Sequence, residues 1–524
     1  MPVFPISNVG QTGIVTDRLC TELPFNAWSG GKNVRFKDGY AEKILGESEF
    51  LTPSVVPYWL LPVGTPSSYF WLYAGLAKVF VWDGTNHTDL TRAAGGDYIA
   101  NAQNNWTGCV LGGIPVINNG LDDPQMWSPV SIAQKLQLLT NWPANTKAGA
   151  LRAYKNFLVA LDVTKIGVRI PQMVKWSHGA PAGGIPSTWD PADATKDAGE
   201  YVLAETGGMC IDCLPLRDMN VIYKDDSIHG MQYIGGVSIF RFLKMFKDQG
   251  ALSRRCVVEI PPGRHAVFAQ GDVIWHDGQM MKSVLDGKMR SWLFNRIDNN
   301  NISKSFAYLN YAKSEVWFCF CETGQSVPNL AVVWNYAQDT TTVRDLTGVS
   351  HIEPGLINIT AVADTWAGDT QPWQSDTTVW GSKNFNPANL SPVEAGTTAT
   401  RLLRADDTNR FSDVDITAFL ERKGLGIPFK ATAPPDMSTM KFFDTCWPRI
   451  EGTLGGVVQV SFGVHDKPLD DPVYGPTQDF VIGTSTKLDV LMSGRLFAIK
   501  FRSTTNTQWR LSGYEIDVRP LGSF

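Results

Sequence analysis

The sequence predicts an all-β chain organised around a β-propeller of about six blades, on three observations. The first is a tryptophan that recurs at the end of a hydrophobic run. Its clearest copies are Val79-Phe80-Val81-Trp82-Asp83-Gly84, Val273-Ile274-Trp275-His276-Asp277-Gly278 and Val332-Val333-Trp334-Asn335, with weaker ones at Trp127, Trp176 and Trp380. With Tyr233 standing in once, the gaps are 45, 49, 57, 42, 59 and 46 residues. That is the spacing of four-stranded blades, none of which can bury its face alone. The second observation is context: the best copies turn at Asp-Gly, a strong hairpin signal. The third is composition, since Gly 48 and Pro 31 in 524 residues imply many turns and short strands.

The N-terminal 55 residues carry almost no helical period. Asn33 to Ile44 alternates apolar with polar residues around Asp38-Gly39 and predicts a hairpin. The Pro- and Gly-containing stretch before it predicts an extended arm of the kind that lies against another subunit, because alone it buries too little. Residues 56–430 are assigned to the propeller. Within them Ala153–Leu161, Leu216–Tyr223 and Gly263–Phe268 each place a short apolar strand 10–25 residues ahead of a Trp- or Gly-marked one. Residues 188–199 form a polar, Pro-containing loop, an insertion on one rim.

Asp415 followed by Ile416–Lys423 and Gly424 carries helix start and stop signals and predicts a short helix. Ala431–Asp436 predicts a linker. The final unit, 431–524, holds longer strands at 457–464, 494–503 and 509–518. Phe497, Ile499 and Phe501 share one face at period two, which predicts a small antiparallel β-sandwich.

Composition narrows the function classes. The net charge is −5 with a pI near 5.9, and no Lys/Arg-rich stretch supplies the basic face that grips phosphates. No apolar run approaches the roughly 18–20 residues of a membrane-spanning helix, and Met1–Pro5 lacks the features of a secretory signal, so a cytoplasmic origin and no membrane insertion are expected. Eight cysteines in such a chain are expected to be reduced. Cys210–Cys213 has the spacing of half a zinc site without a second pair. Cys319 and Cys321 fall on one face of a strand. Both pairs are read as structural.

A search for chemistry nominates no catalytic, cofactor-binding or metal-ligating residue, and the chain is expected not to be an enzyme. The seven histidines show no metal spacing, and HExxH, G-x-S-x-G and Walker A motifs are absent from the sequence. His276-Asp277 is read as a solvent-exposed pair in a turn. The doublets Asp122-Asp123, Asp225-Asp226, Asp406-Asp407 and Asp470-Asp471 sit in turns, where neighbouring side chains point apart. Asp298–Asn301 lacks the ligand spacing of a calcium loop and is read as a plain turn. Trp142, Trp189, Trp366 and Trp373 lie outside the strand runs, so they are candidate platforms for stacking on sugars. A monomeric propeller that binds peptides is a further reading, since fold alone does not decide function.

Two stretches carry a resemblance. The first runs from Pro5-Ile6-Ser7-Asn8-Val9-Gly10-Gln11 through Leu23-Pro24, Ala27-Trp28 and Asn33-Val34-Arg35-Phe36 to Asp38-Gly39 and Gly46. The second comprises Met440-Lys441-Phe442, Trp447–Thr453, Gly494-Arg495 and Trp509–Tyr514. Both resemble the tail nozzle proteins of short-tailed bacteriophages, also called tail tubular protein B or packaged-DNA stabilisation proteins. The resemblance implies a structural virion protein in the tail, assembled in the host bacterial cytoplasm. It would be a homohexameric ring below the portal and adaptor that meets tail fibre or tail needle proteins and extends the genome-ejection channel. Double-stranded DNA would pass through its lumen without sequence specificity, along a neutral to acidic surface that does not hold phosphates. No cofactor is implied. The arm and the 188–199 loop are the expected ring contacts. The alternative is a carbohydrate-binding or depolymerising tail protein that recognises host surface glycans.

Overall fold

The computed structural model describes residues 3–65, 68–103, 106–129, 131–236, 238–357, 390–428 and 435–522. Six consecutive four-stranded antiparallel sheets occupy the middle of the chain, beginning at Trp59, Thr107, Thr146, Cys210, Val257 and Phe306. The first strands of successive sheets lie side by side. Trp59–Gly64 neighbours Thr107–Leu111, and the sequence continues through Phe306–Asn310 to Val349–Gly355, which lies back against Trp59–Gly64. The ring therefore closes as a β-propeller.

The recurring aromatic has one structural meaning. Trp82, Trp176, Tyr233, Trp275 and Trp334 all lie on the third strand of their blades, and Trp127 directly follows the third strand of its own. Trp380 lies outside the described residues. The repeat arises because each blade re-uses one strand–turn pattern, and its apolar faces are covered only by the blades on either side.

A seventh sheet completes the ring, and no local repeat announces it. It orders Val349–Gly355, Ser391–Gly396 and Arg401–Ala405 beside Glu47–Leu51, followed by the two-residue strands Arg410–Phe411 and Val414–Asp415. The fourth strand of this blade thus comes from sequence that precedes the first blade. Leu402, Leu403, Arg404 and Ala405 align antiparallel with Leu51, Glu49, Ser48 and Glu47, which locks the circle with backbone hydrogen bonds.

The sandwich is likewise built from both ends of the chain, which regroups the expected units 1–55, 56–430 and 431–524. One sheet orders Val34–Lys37, Tyr40–Lys43, Trp509–Gly522, Met440–Gly452 and Leu488–Gly494, and Val3–Ser7 also pairs with Trp509–Gly522. The other orders Gly30–Lys32, Ala418–Leu425, Leu496–Ser503, Val457–His465 and Val473–Tyr474. A single core joins them, with Trp28, Phe443, Phe497, Ile499, Phe501, Trp509 and Tyr514 all buried. The hairpin at Asp38-Gly39 is present as expected, with both residues at positive φ (50° and 83°), as a two-residue turn between twisted strands requires.

Two expectations are corrected here. The segment expected to be a helix after Asp415 is the strand Ala418–Leu425. Ala418, Leu420 and Arg422 are buried while Phe419, Glu421 and Lys423 are less so, an alternation that a strand buries on one side and a helix cannot. Arg422 enters the core because its guanidinium donates to backbone carbonyls of the N-terminal segment, Leu23 O among them at 2.9 Å. Burial lowers its pKa to about 10. The sole α-helix among the described residues is Arg290–Phe294.

The N-terminal arm, expected to reach another subunit, is spent within its own chain. Ile14 N donates to Thr341 O (2.9 Å) and Asn33 N to Val343 O (2.8 Å), both on the outer strand of the sixth blade. Thr16 N and Asp17 N donate to Lys288 O, and Asp17 accepts from Ser291 N at 2.7 Å. The arm thus satisfies an otherwise open sheet edge and ties the sandwich to the propeller.

A buried ionic network completes that junction. Arg35, on the sandwich hairpin, donates to Glu315 through Nε and Nη2 (2.5 and 3.0 Å) and to Asp406 through Nη2 (2.8 Å). Asp406 also accepts from Arg344 Nη1 (3.0 Å) and Asn310 Nδ2 (2.9 Å). Burial alone would raise the Asp406 pKa, but Arg35 and Arg344 hold it below the usual carboxylate range. Nearby, Glu394 and Glu47 are both buried, and loss of solvent raises both pKa values.

Candidate functional site in the axial cavity

The ring of first strands encloses a cavity of about 430 Å³ to which every blade contributes. This is the size of a small-molecule site and far too narrow for a nucleic-acid duplex. Its lining runs from buried to exposed along the axis. Trp59, Asp212 and His351 are buried at one end, while Glu259 and Tyr311 are exposed at the other.

Polar groups meet at the buried end. Arg152 holds Asp212 by two parallel bonds of 2.7 and 2.8 Å and donates to Gly108 O at 2.9 Å. Asp212 also accepts from Arg255 N at 2.9 Å. Burial would raise the Asp212 pKa, yet Arg152 outweighs it and holds the value low. His351 stacks on Trp59, with ring centroids 6.2 Å apart and planes 10° from parallel. Its Nδ1 accepts from Leu60 N at 3.0 Å, which leaves the proton on Nε2, 3.3 Å from Glu353. Burial first, and then Arg255, lower the His351 pKa to about 4. The imidazole is therefore neutral at pH 7.

Arg255 is the unusual member. It adopts φ +64°, a region that non-glycine residues seldom enter. Its guanidinium lies 5.9 Å from the Phe306 ring centroid and makes a long 3.5 Å contact to Ser350 O. Burial first, then Arg152, lower its pKa to about 10, so it stays charged. It also lines a second cavity of about 220 Å³ with Tyr58, Lys304 and Ser350.

The other sequence candidates are dispersed. Trp142 and Trp189, considered as sugar platforms, are buried against one another at 4.8 Å in an edge-to-face contact. They pin the 188–199 loop, whose other residues are mostly exposed, and present no stacking face to a glycan. Trp366 and Trp373 lie outside the described residues. His276 is not solvent-exposed: it ends a strand, fully buried, and shares the Tyr223 hydroxyl (2.7 Å) with His265 (2.6 Å). Two histidines and a tyrosine far apart in sequence gave no motif to find.

Cys210, Cys213, Cys319 and Cys321 are buried free thiols, and burial raises Cys213 to about 12, away from nucleophilic chemistry. Asp298 caps the short 3₁₀ turn Asn299–Lys304 by accepting from Asn300 N at 3.0 Å. Among the described residues, no three His, Cys, Asp or Glu side chains converge to hold a metal ion. No helix there is long and apolar enough to cross a membrane.

No family model and no curated protein matches the chain. Among solved structures it is similar to the WD40 β-propeller domain of Doa1, at 9% identity over 69% of this chain and 96% of that one, with a TM-score of 0.37. It is also similar to the AfRom2 CNH domain (9% identity, 60% and 91% covered, TM-score 0.33). A third is an exo-β-1,3-galactanase from Phanerochaete chrysosporium (8% identity, 91% and 100% covered, TM-score 0.27). At these scores the likenesses carry no functional argument; the propeller rests on the strand pairing described above.

Proposed function

We propose that this chain is a structural subunit of a short-tailed phage tail, one of six in a nozzle ring that extends the ejection channel below portal and adaptor. The observation that carries the reading is where the two family-like stretches meet. Residues 5–46 and 440–514 stand at opposite ends of the sequence, yet they fold into one sandwich. Val3–Ser7 and Tyr40–Lys43 both pair with Trp509–Gly522, and Arg35 of the same module grips the propeller. A motif pair that builds one rigid mounting is what a ring subunit requires.

The narrow axial cavity adds a constraint. DNA in such a tail runs between subunits, along the ring axis, and not through the propeller. The net charge of −5 suits a lumen that passes the duplex without holding it. Closure by rotation needs two different faces per subunit. The third blade offers two: the 188–199 loop, and at the other end of the same strands a hairpin tip where Ile166 and Val168 are 82% and 65% exposed. Adaptor, portal and tail fibre or needle proteins are the remaining partners, met in the virion after assembly in the bacterial cytoplasm.

Electron microscopy of virions labelled for this chain tests the assignment. Six copies on the tail axis are expected; another copy number, an off-axis position, or cleavage of host polysaccharide by the purified protein would overturn it. Replacing Ile166 and Val168 by glutamate is expected to leave the thermal midpoint within about 2 °C, as surface changes do, while reducing incorporation into particles at least tenfold. Normal incorporation would remove the hairpin tip from the interface.

A further inference from the structure

We infer that the second cavity binds a phosphoryl dianion, as free phosphate or a small phosphomonoester, between the Arg255 guanidinium and the Lys304 ammonium group.

The backbone of Arg255 is pinned on both sides at its positive φ of 64°. Its N–H donates to Asp212 at 2.9 Å, and its carbonyl accepts from Ala307 N at 2.8 Å. The guanidinium meets the Phe306 ring and lies 3.5 Å from Ser350 O, and Ser350 lines the second cavity. The fold thus maintains a strained residue, and the strain brings a cation with one long hydrogen bond to that cavity. Lys304 lines it too and donates to Ser326 O at 2.6 Å, which leaves two ammonium N–H groups for a ligand. No carboxylate stands among the described residues that line the recess. Asp212 is taken by Arg152, Glu353 faces His351, and both acids line the axial cavity instead. Asp298 acts on Lys304 through its charge, but it accepts from Asn300 and Asn301 and does not line the recess. Two cations in one recess repel, and a dianion offsets both where a monoanion offsets one. A guanidinium pairs with two phosphate oxygens in its own plane, and an ammonium group meets a third as a point charge. The recess runs from exposed Ser326 past half-buried Tyr58 and Val327 to buried Ser350, so an ester group has an apolar wall to lie on. Its volume of about 220 Å³ falls below the roughly 300–1,000 Å³ of drug-sized sites, so the occupant is small. This proposal does not depend on the tail assignment, since the site lies within one chain.

Isothermal titration of the full chain in phosphate-free buffer tests it with inorganic phosphate, butyl phosphate, dimethyl phosphate and acetate. At about pH 8 the first two are dianions, since a phosphomonoester loses its second proton near about pH 6. Phosphate is expected to bind with a Kd of about 1 mM or tighter, and the two monoanions at least tenfold more weakly. Butyl phosphate binding tighter than phosphate assigns the site to an esterified ligand, and the reverse order to the free ion; either order supports the dianion. Arg255→Gln and Lys304→Gln are each expected to weaken phosphate binding at least tenfold, with circular dichroism checking the fold. Should Arg255→Gln fail to fold, Lys304→Gln decides alone. No heat with phosphate at about 10 mM overturns the proposal. So does phosphate binding that survives Lys304→Gln, or an equal affinity for acetate.

Discussion

Asp406→Asn is expected to destabilise the folded chain by about 3–5 kcal/mol, the cost of leaving buried charge uncompensated. The carboxylate accepts from Arg35, Arg344 and Asn310 at 2.8–3.0 Å, and Arg35 and Arg344 are buried. Asparagine keeps the shape and tolerates the left-handed backbone at this position, φ +54°, so the change isolates charge from strain. Arg35 retains Glu315, whereas the carboxylates left beside Arg344 among the described residues are Glu47 and Glu394, both with raised pKa values. The loss therefore falls mainly on Arg344. For a chain of 524 residues unfolding as one unit it corresponds to a fall of roughly 3–5 °C in the thermal midpoint. Urea unfolding followed by tryptophan fluorescence measures it. A loss below about 1 kcal/mol would mean the network contributes nothing that an amide cannot replace. A cycle with Arg344→Met sharpens the result: the double variant should lie closer to the parent than Asp406→Asn does, because the orphaned cation is gone.

The network also marks the limit of sequence reading. Arg35 stands in a hairpin legible from alternation and Asp38-Gly39, but nothing local tells that its face meets Glu315 and Asp406, 280 and 371 residues away. The blades were legible because Trp82, Trp275 and Trp334 repeat one strand and turn. The closing strand Glu47–Leu51 was not, since it carries no repeat and pairs across most of the chain. At Ala418–Leu425, Asp415, the basic run and Gly424 imitate helix signals, and tertiary burial of Arg422 overrides them. The sandwich strands carried their own period-two signal, although their N-terminal partners did not. The axial cavity could not be foreseen, because its lining takes two to four residues from each of seven distant blades. Spacing in one sequence carries no record of such a ring.

Acidification is expected to weaken the fold between pH 6.5 and about 4.5, at up to about 4 kcal/mol per pH unit in the lower half of that window, from three buried histidines. Burial lowers His265 to about 4 and His351 to about 4, and it lowers His276, which also faces His265, to about 3. Each is neutral in the folded chain and titrates near 6.5 once unfolded. Below that value the unfolded chain takes up protons that the folded chain refuses, so stability present above pH 6.5 is lost as pH falls toward the folded values. The buried carboxylates of these networks do not produce a loss of this sign in the window. Asp406 and Asp212 are held low and lose their contribution only below the ordinary carboxylate range. Glu394 has a raised pKa, so its burial is favoured more as pH falls, the opposite sign. The slope should therefore belong to imidazoles. Tyr223 joins two of them at 2.6 and 2.7 Å, so protonating either costs a buried hydrogen bond or strands a charge beside its neighbour. Urea midpoints at half-unit pH intervals measure the slope. His265→Gln, His276→Gln and His351→Gln combined should flatten it, although stability at pH 7.5 will also fall. A parent profile flat to within about 1 kcal/mol, or a variant profile as steep as the parent's, would place the acid sensitivity in other groups.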